Sequence, residues 1–174
     1  MKKKQQLLLV TGGVGYVGST FMRDALSEGY NIRCLDLLLY GGKSIIGLMN
    51  HPDFELKVGD VRNKKDVEDA LEGVDAVVHL AGDNLADGQW NDRKKNSILS
   101  SRVNGTKLLS KYFVASGHKP SVIVSASAVG FYGDRGEDRV DETSEPGKGF
   151  LADVCKQWEE AAASAVDAGV RVVN

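Results

Sequence analysis

Short continuous apolar runs alternate along the chain with longer stretches in which apolar residues recur at helical spacing. Residues 7–11, Leu-Leu-Leu-Val-Thr, have the pattern of a strand buried on both faces. From Gly15 to Gly29 the period becomes helical, with Phe21, Met22, Ala25 and Leu26 on one face. Further strands are expected over 31–37, 54–58, 76–80, 122–125 and 170–173. Helices are expected over 63–72, 92–116 and 151–168, with a short one over 44–50 stopped by Pro52. Asn63 can cap the first of these, and Asp66 gives it an acidic first turn. Ile98, Leu99, Val103, Thr106, Leu109 and Phe113 supply the apolar side of the long helix. A polar loop over 82–90 and a Gly-, Asp- and Glu-rich loop over 130–149 separate elements. This alternation gives a doubly wound parallel sheet with helices on both faces and right-handed crossovers. Six strands in two βαβ halves imply the order 3-2-1-4-5-6, with a ligand crevice at the carboxyl ends of strands one and four.

Composition narrows the picture without redirecting it. The 174 residues fit one domain, and 42% hydrophobic with 26% charged residues suits an ordinary soluble globular protein. Twenty-two basic and 24 acidic residues leave a net charge of −2, so nothing electrostatic calls for nucleic acid or an anionic membrane surface. The Lys2-Lys3-Lys4 run reads as a solvated tail. The apolar run behind it, Leu7 to Val10, is too short for a signal segment, and no stretch approaches a membrane span. Cys34 and Cys155 fall on separate elements without metal-ligand spacing, so free thiols in a reducing cytoplasm are expected.

The candidate chemistry begins at Thr11-Gly12-Gly13-Val14-Gly15-Tyr16-Val17-Gly18. Gly12-x-x-Gly15-x-x-Gly18 follows a strand and opens a helix. Gly12 would allow a tight turn, Gly15 a close approach of a pyrophosphate to backbone, and Gly18 close packing of helix on strand. The helix N-terminus, with Tyr16 and Val17 in its first turn, would offer N–H groups to phosphates. A glycine-rich turn without a ligand is the alternative. Asp36, eighteen residues beyond Gly18, can accept from both adenosine ribose hydroxyls and would repel a 2′-phosphate, favouring NAD over NADP. Asp60 and Val61 offer a carboxylate and a backbone N–H for an adenine. Leu80, Ala81 and Gly82 end strand four where a cofactor would pass close to backbone.

These motifs resemble the extended short-chain dehydrogenase/reductase superfamily, the NAD-dependent epimerase/dehydratase group. The marks are TGGVGYVGS, LDLLLYGG, GDVRN, VVHLAG and VIVSASAVGFYGD. The resemblance implies a three-layer α/β Rossmann fold over the whole chain, binding NAD(H) and acting on a nucleotide-sugar. Up to about residue 80 the chain is similar to nucleotide-sugar epimerases and dehydratases. Beyond it, Trp90, Lys95, Ile98, Ser101-Arg102-Val103 and Gly105-Thr106 resemble an atypical epimerase-like, cell-division-inhibitor-like branch. A recombinant joined near strand four and a divergent natural member are both open.

The superfamily pattern implies a Ser or Thr after strand five and Tyr-x-x-x-Lys at the start of the next helix. Ser127 fills the serine position; Ser125, the other candidate, is grouped with the cofactor-binding residues. Alignment on Glu159 puts Leu151 at the Tyr position and Cys155 at the Lys position. Leucine transfers no proton, and Lys156 would point about 100° away around the helix. Arg102 stands where the superfamily more often has Asn. Tyr132 is the nearest phenol and the candidate acid/base, set against a packing role. Asp134 and Arg135 can meet substrate or simply be solvated. His79 reads as buried structure, and His51 and His118 sit at turns. Members of this superfamily continue into a substrate-binding domain, which is expected to be absent from residues 1–174. The leading expectation is therefore an NAD(H)-binding module without full catalytic activity. A working epimerase, dehydratase or small oxidoreductase, using Tyr132 or Cys155 and completed by a homodimer partner, is the second. A fold kept without ligand or activity is the third.

Overall fold

Six parallel strands form one sheet in the order β3-β2-β1-β4-β5-β6. They are β1 (Leu7–Thr11), β2 (Asn31–Asp36), β3 (Phe54–Val58), β4 (Ala76–His79), β5 (Val122–Ser125) and β6 (Arg171–Val173). The structure, a computed structural model, describes residues 6–115 and 119–174. The Lys2-Lys3-Lys4 run, Ser116 and His118 lie outside the described residues. The helices are α1 (Tyr16–Ser27), α2 (Lys64–Leu71), α3 (Asp92–Ala115), α4 (Phe150–Glu160) and α5 (Ala163–Asp167). No helix among the described residues is long and apolar enough to cross a membrane.

The period-2 alternation of strand side chains divides the core in two. Leu9, Val77 and Ile123 face α2, α3 and α5 and pack with Val67, Leu71, Leu109, Phe113 and Ala165. Leu8, Val10, Ile32 and Cys34 face the other way and pack with Met22, Ala25 and Leu26 of α1. The two layers are unequal. Cys34, Val10, Val78 and Val124 form one cross-strand row. Cys34 and Val10 are fully buried under α1, whereas Val124 is 40% exposed.

Local sequence sets the element ends. The Asn63 side chain accepts the Lys65 and Asp66 backbone N–H groups and so caps α2. The expected short helix at 44–50 is a 3₁₀ helix, Lys43–Leu48. It buries Ile45 and Leu48, spaced three apart as the three-residue turn requires. The helix expected over 151–168 is instead two. Ala161 N–H is shared between Gln157 and Trp158 carbonyls, and Ala162 N–H bonds Glu159 at i−3. The tightening ends α4 before α5 begins.

Candidate functional site

A cleft of about 550 Å³ opens at the carboxyl ends of β1 to β4. Gly12, Gly15, Tyr16, Asp36, Asp60, Val61, Leu80, Ala81 and Gly82 all line it. Gly12 forms its floor at φ +70°, and a Cβ there would stand 2.7 Å from the Ala81 backbone. Only glycine allows both the left-handed turn and this approach of two chain segments. Gly18 lies behind the cleft, where a Cβ would meet Gly13 Cα at 2.6 Å, so it serves helix packing. Val17 is 63% exposed and does not line the cleft, and Ser125 is buried at the end of β5 outside it.

The turn delivers α1 to the cleft with its first N–H groups unmatched within the helix. Gly15 supplies no side-chain cap, and the first turn holds no acidic residue. An anion at that end therefore meets open donors and the positive end of the helix dipole. A dinucleotide pyrophosphate fits this arrangement.

Asp36 is more engaged than a free ribose acceptor. Its Oδ2 accepts the Val14 N–H at 3.0 Å, and its Oδ1 accepts the Leu38 N–H at 2.9 Å. A carboxylate has about four acceptor positions, so each oxygen retains one for a ribose hydroxyl. Asp60 is committed within the protein. Its N–H donates to Asp66 Oδ2 at 2.8 Å, and its carboxylate takes Nε and a terminal nitrogen of Arg62. Those Arg62 hydrogen bonds hold the Asp60 carboxyl below the usual range. The carboxylate expected to meet an adenine thus has a partner already.

The far wall contains Asp83, Asn84 and Ser97, not singled out from sequence, and Ser101, named there only for its resemblance. Asp83 pairs with Lys94 at 3.0 Å, with side chains only 17% and 13% exposed. Burial raises its carboxyl, but hydrogen bonds from Lys94 and Ser97 and the charges of Lys94 and Arg102 outweigh this and lower it. The sequence signal lay in the Ser101-Arg102 motif. Ser101 Oγ accepts the Asp83 N–H, and Arg102 donates to the Asp83 and Ile98 carbonyls. The Arg102 guanidinium also lies 5.2 Å from the Trp158 ring centroid, within cation–π range. Trp158 Nε1 itself is buried without a hydrogen-bond partner among the described residues.

The catalytic candidates are dispersed. Ser127 Oγ donates to Glu159, a partner not singled out as such from sequence. Tyr132 ends a 3₁₀ helix (Val129–Tyr132), its ring edge-on to Phe131 at 5.3 Å, and does not line the main cleft. Leu151 and Cys155 lie in α4, as the alignment placed them. Burial, then the Glu159 charge, pushes the Cys155 thiol up against the opposing pull of Arg102. It stays protonated near neutral pH and is a poor base. Lys156 is exposed. Leu151, Phe150, Trp90 and Asp134 line a second depression of about 450 Å³. Trp90 and Phe150 meet edge-on there at 5.9 Å, with Lys95 Nζ 5.8 Å from the Phe150 centroid. Arg135 is tied into its own loop through the Tyr132 and Glu145 carbonyls.

Comparison with known proteins places this geometry. The epimerase family protein ML0860 of Mycobacterium leprae is 42% identical over 105 residues, 60% of this chain and 34% of that protein. The nucleoside-diphosphate sugar epimerase of Corynebacterium glutamicum superposes with TM-score 0.73 at 35% identity, over 97% of this chain and 33% of its own. The human epimerase family protein SDR39U1, solved with NADPH, has the same fold: TM-score 0.71 at 24% identity, over 90% of this chain and 48% of its own. The chain thus spans a third to about half of the length of these proteins. Residues 8–153 match the model of the NAD dependent epimerase/dehydratase family, and the chain belongs to that family.

Proposed function

We propose that residues 1–174 are a dinucleotide-binding unit that holds NAD(H) in the cleft and lacks a complete acid–base apparatus. The observation that carries the first half is the Gly12 turn, closed against Ala81, aiming an uncapped, acid-free α1 at the cleft. The pyrophosphate would lie along Gly12 to Tyr16, with the adenosine ribose at the remaining acceptor positions of Asp36. Its carboxylate opposes a 2′-phosphate, which favours NAD over NADP. A bound nicotinamide would supply a hydride acceptor or donor. Ser127 would bind a reacting hydroxyl, its Oγ already oriented by Glu159. The second half rests on Leu151 and on Cys155, whose protonated thiol cannot replace a lysine charge. Tyr132 lies outside the cleft. The C. glutamicum protein's name makes nucleotide-sugars the substrate class to try.

Separate equilibrium titrations with NAD⁺ and NADP⁺ test the reading. Binding of NAD⁺ at least about tenfold tighter than NADP⁺ is expected, because the Asp36 charge acts at short range on a doubly charged group. The reverse order would overturn the NAD assignment, and no binding of either by folded protein would overturn the site. With NAD⁺ and UDP-glucose, no absorbance change at 340 nm is expected. Steady accumulation of NADH would show that the chain turns substrate over after all.

A further inference from the structure

Val14 stands at the tip of the glycine turn, and both of its peptide groups are held by side chains from elsewhere. Its N–H donates to Asp36 Oδ2 at 3.0 Å, and its carbonyl accepts from Ser44 Oγ at 2.7 Å. The first bond fixes the plane of the Gly13–Val14 peptide. The second fixes the Val14–Gly15 peptide, since a planar peptide turns as a unit. The Gly15 N–H is thereby set toward the Gly12 carbonyl at 3.2 Å. The holding groups are themselves anchored. The Ser44 carbonyl accepts from the Arg23 guanidinium of α1, and Asp36 Oδ1 accepts the Leu38 N–H. Leu38, at φ +56°, is the only non-glycine residue of positive φ among the described residues. Such a backbone persists only where its surroundings impose it. Ser44 does not line the cleft.

We infer that Ser44 and Asp36 form a clamp on the Val14 peptides that pre-sets the phosphate-binding turn, with Ser44 a positioning residue for a diphosphate it never touches. The inference rests on the dinucleotide-site reading above. It adds a coupling: a ribose would approach the same carboxylate that holds the Val14 N–H, so adenosine and pyrophosphate recognition share one group. Without Ser44 the Val14–Gly15 peptide keeps only the longer bond from its Gly15 N–H to the Gly12 carbonyl, and the ligand must complete the ordering of the turn at a cost in affinity.

Two measurements on the full chain test the clamp. In titrations with NAD⁺ and with ADP, Ser44→Ala should bind each about 3- to 10-fold more weakly, the range of one lost neutral hydrogen bond. Ser44→Thr, which keeps the hydroxyl, should bind as wild type. In hydrogen–deuterium exchange on unliganded protein, Ser44→Ala should speed exchange at Val14 and Gly15 and leave the amides of β1 and β4 protected. Unchanged exchange at the turn, or unchanged NAD⁺ affinity where wild type binds, would overturn the clamp. Failure of wild type to bind NAD⁺ or ADP would instead overturn the dinucleotide site, and the exchange comparison would still decide the clamp.

Discussion

His79 is a titratable side chain whose position makes it structural. Fully buried at the end of β4, its ring lies between Thr11 Oγ1 at 2.6 Å and Thr106 Oγ1 at 3.0 Å. Burial pushes its pKa down to about 4, against about 6.5 for an exposed histidine. Between those values the unfolded chain binds a proton that the folded chain refuses. Its contribution to stability is therefore complete above about pH 6.5 and is lost progressively as pH falls toward about 4. Urea unfolding should show stability about 2 kcal/mol lower at pH 5 than at pH 7.5 from this residue. The difference should shrink by that amount in His79→Gln; an identical pH dependence in the two proteins would contradict the assignment. The structural role of His79 was readable from its place in an apolar strand. The engagement of Asp36 was not, because its partner Val14 is 22 residues away along the chain and reaches it only once β1 and β2 pair.

At the scale of elements, the caps were legible and the break was not. Asn63 before an acidic first turn marks a helix start in any context, and its side chain takes two backbone N–H groups. Asn63→Ala should cost about 1 kcal/mol in urea unfolding, and Asn63→Asp should retain most of it. Equal stability of wild type and Asn63→Ala would show that α2 is held by packing alone. The division between α4 and α5 escaped the periodicity for a physical reason. Trp158, Ala161, Ala162 and Ala165 are all buried and fall at i, i+3, i+4 and i+7. One apolar stripe therefore runs unbroken through the tightened turn, and no polar residue interrupts it. The strands were the easier case, since continuous apolar runs are what a sheet covered on both faces demands.

At the scale of the whole molecule, the order of the six strands followed from reading the strand–helix alternation as two βαβ halves. A join near residue 80 would fall just after β4, whose register with β1 is unbroken from Leu8↔Ala76 to Thr11↔His79. The inequality of the two helical layers, which leaves Val124 of β5 40% exposed, was hidden because exposure depends on which helix lies over which strand. The cleft was legible as far as glycines and strand ends define it. Its polar far wall was not, because Asp83, Lys94, Ser97 and Ser101 come together only when the loop after β4 folds back on α3. The central claim is that this cleft holds a dinucleotide through the Gly12–Tyr16 turn. Calorimetric titration of NAD⁺ into wild type and Gly15→Asp, with circular dichroism to confirm that both are folded, tests it most directly. Gly15 precedes α1 in an extended conformation, φ −66° and ψ 173°, which any residue can adopt, so the variant should fold, with a carboxylate where the pyrophosphate would sit. Saturable heat with wild type and none with Gly15→Asp is the predicted result. Equal binding by the two proteins, or a flat trace from folded wild type, would contradict it.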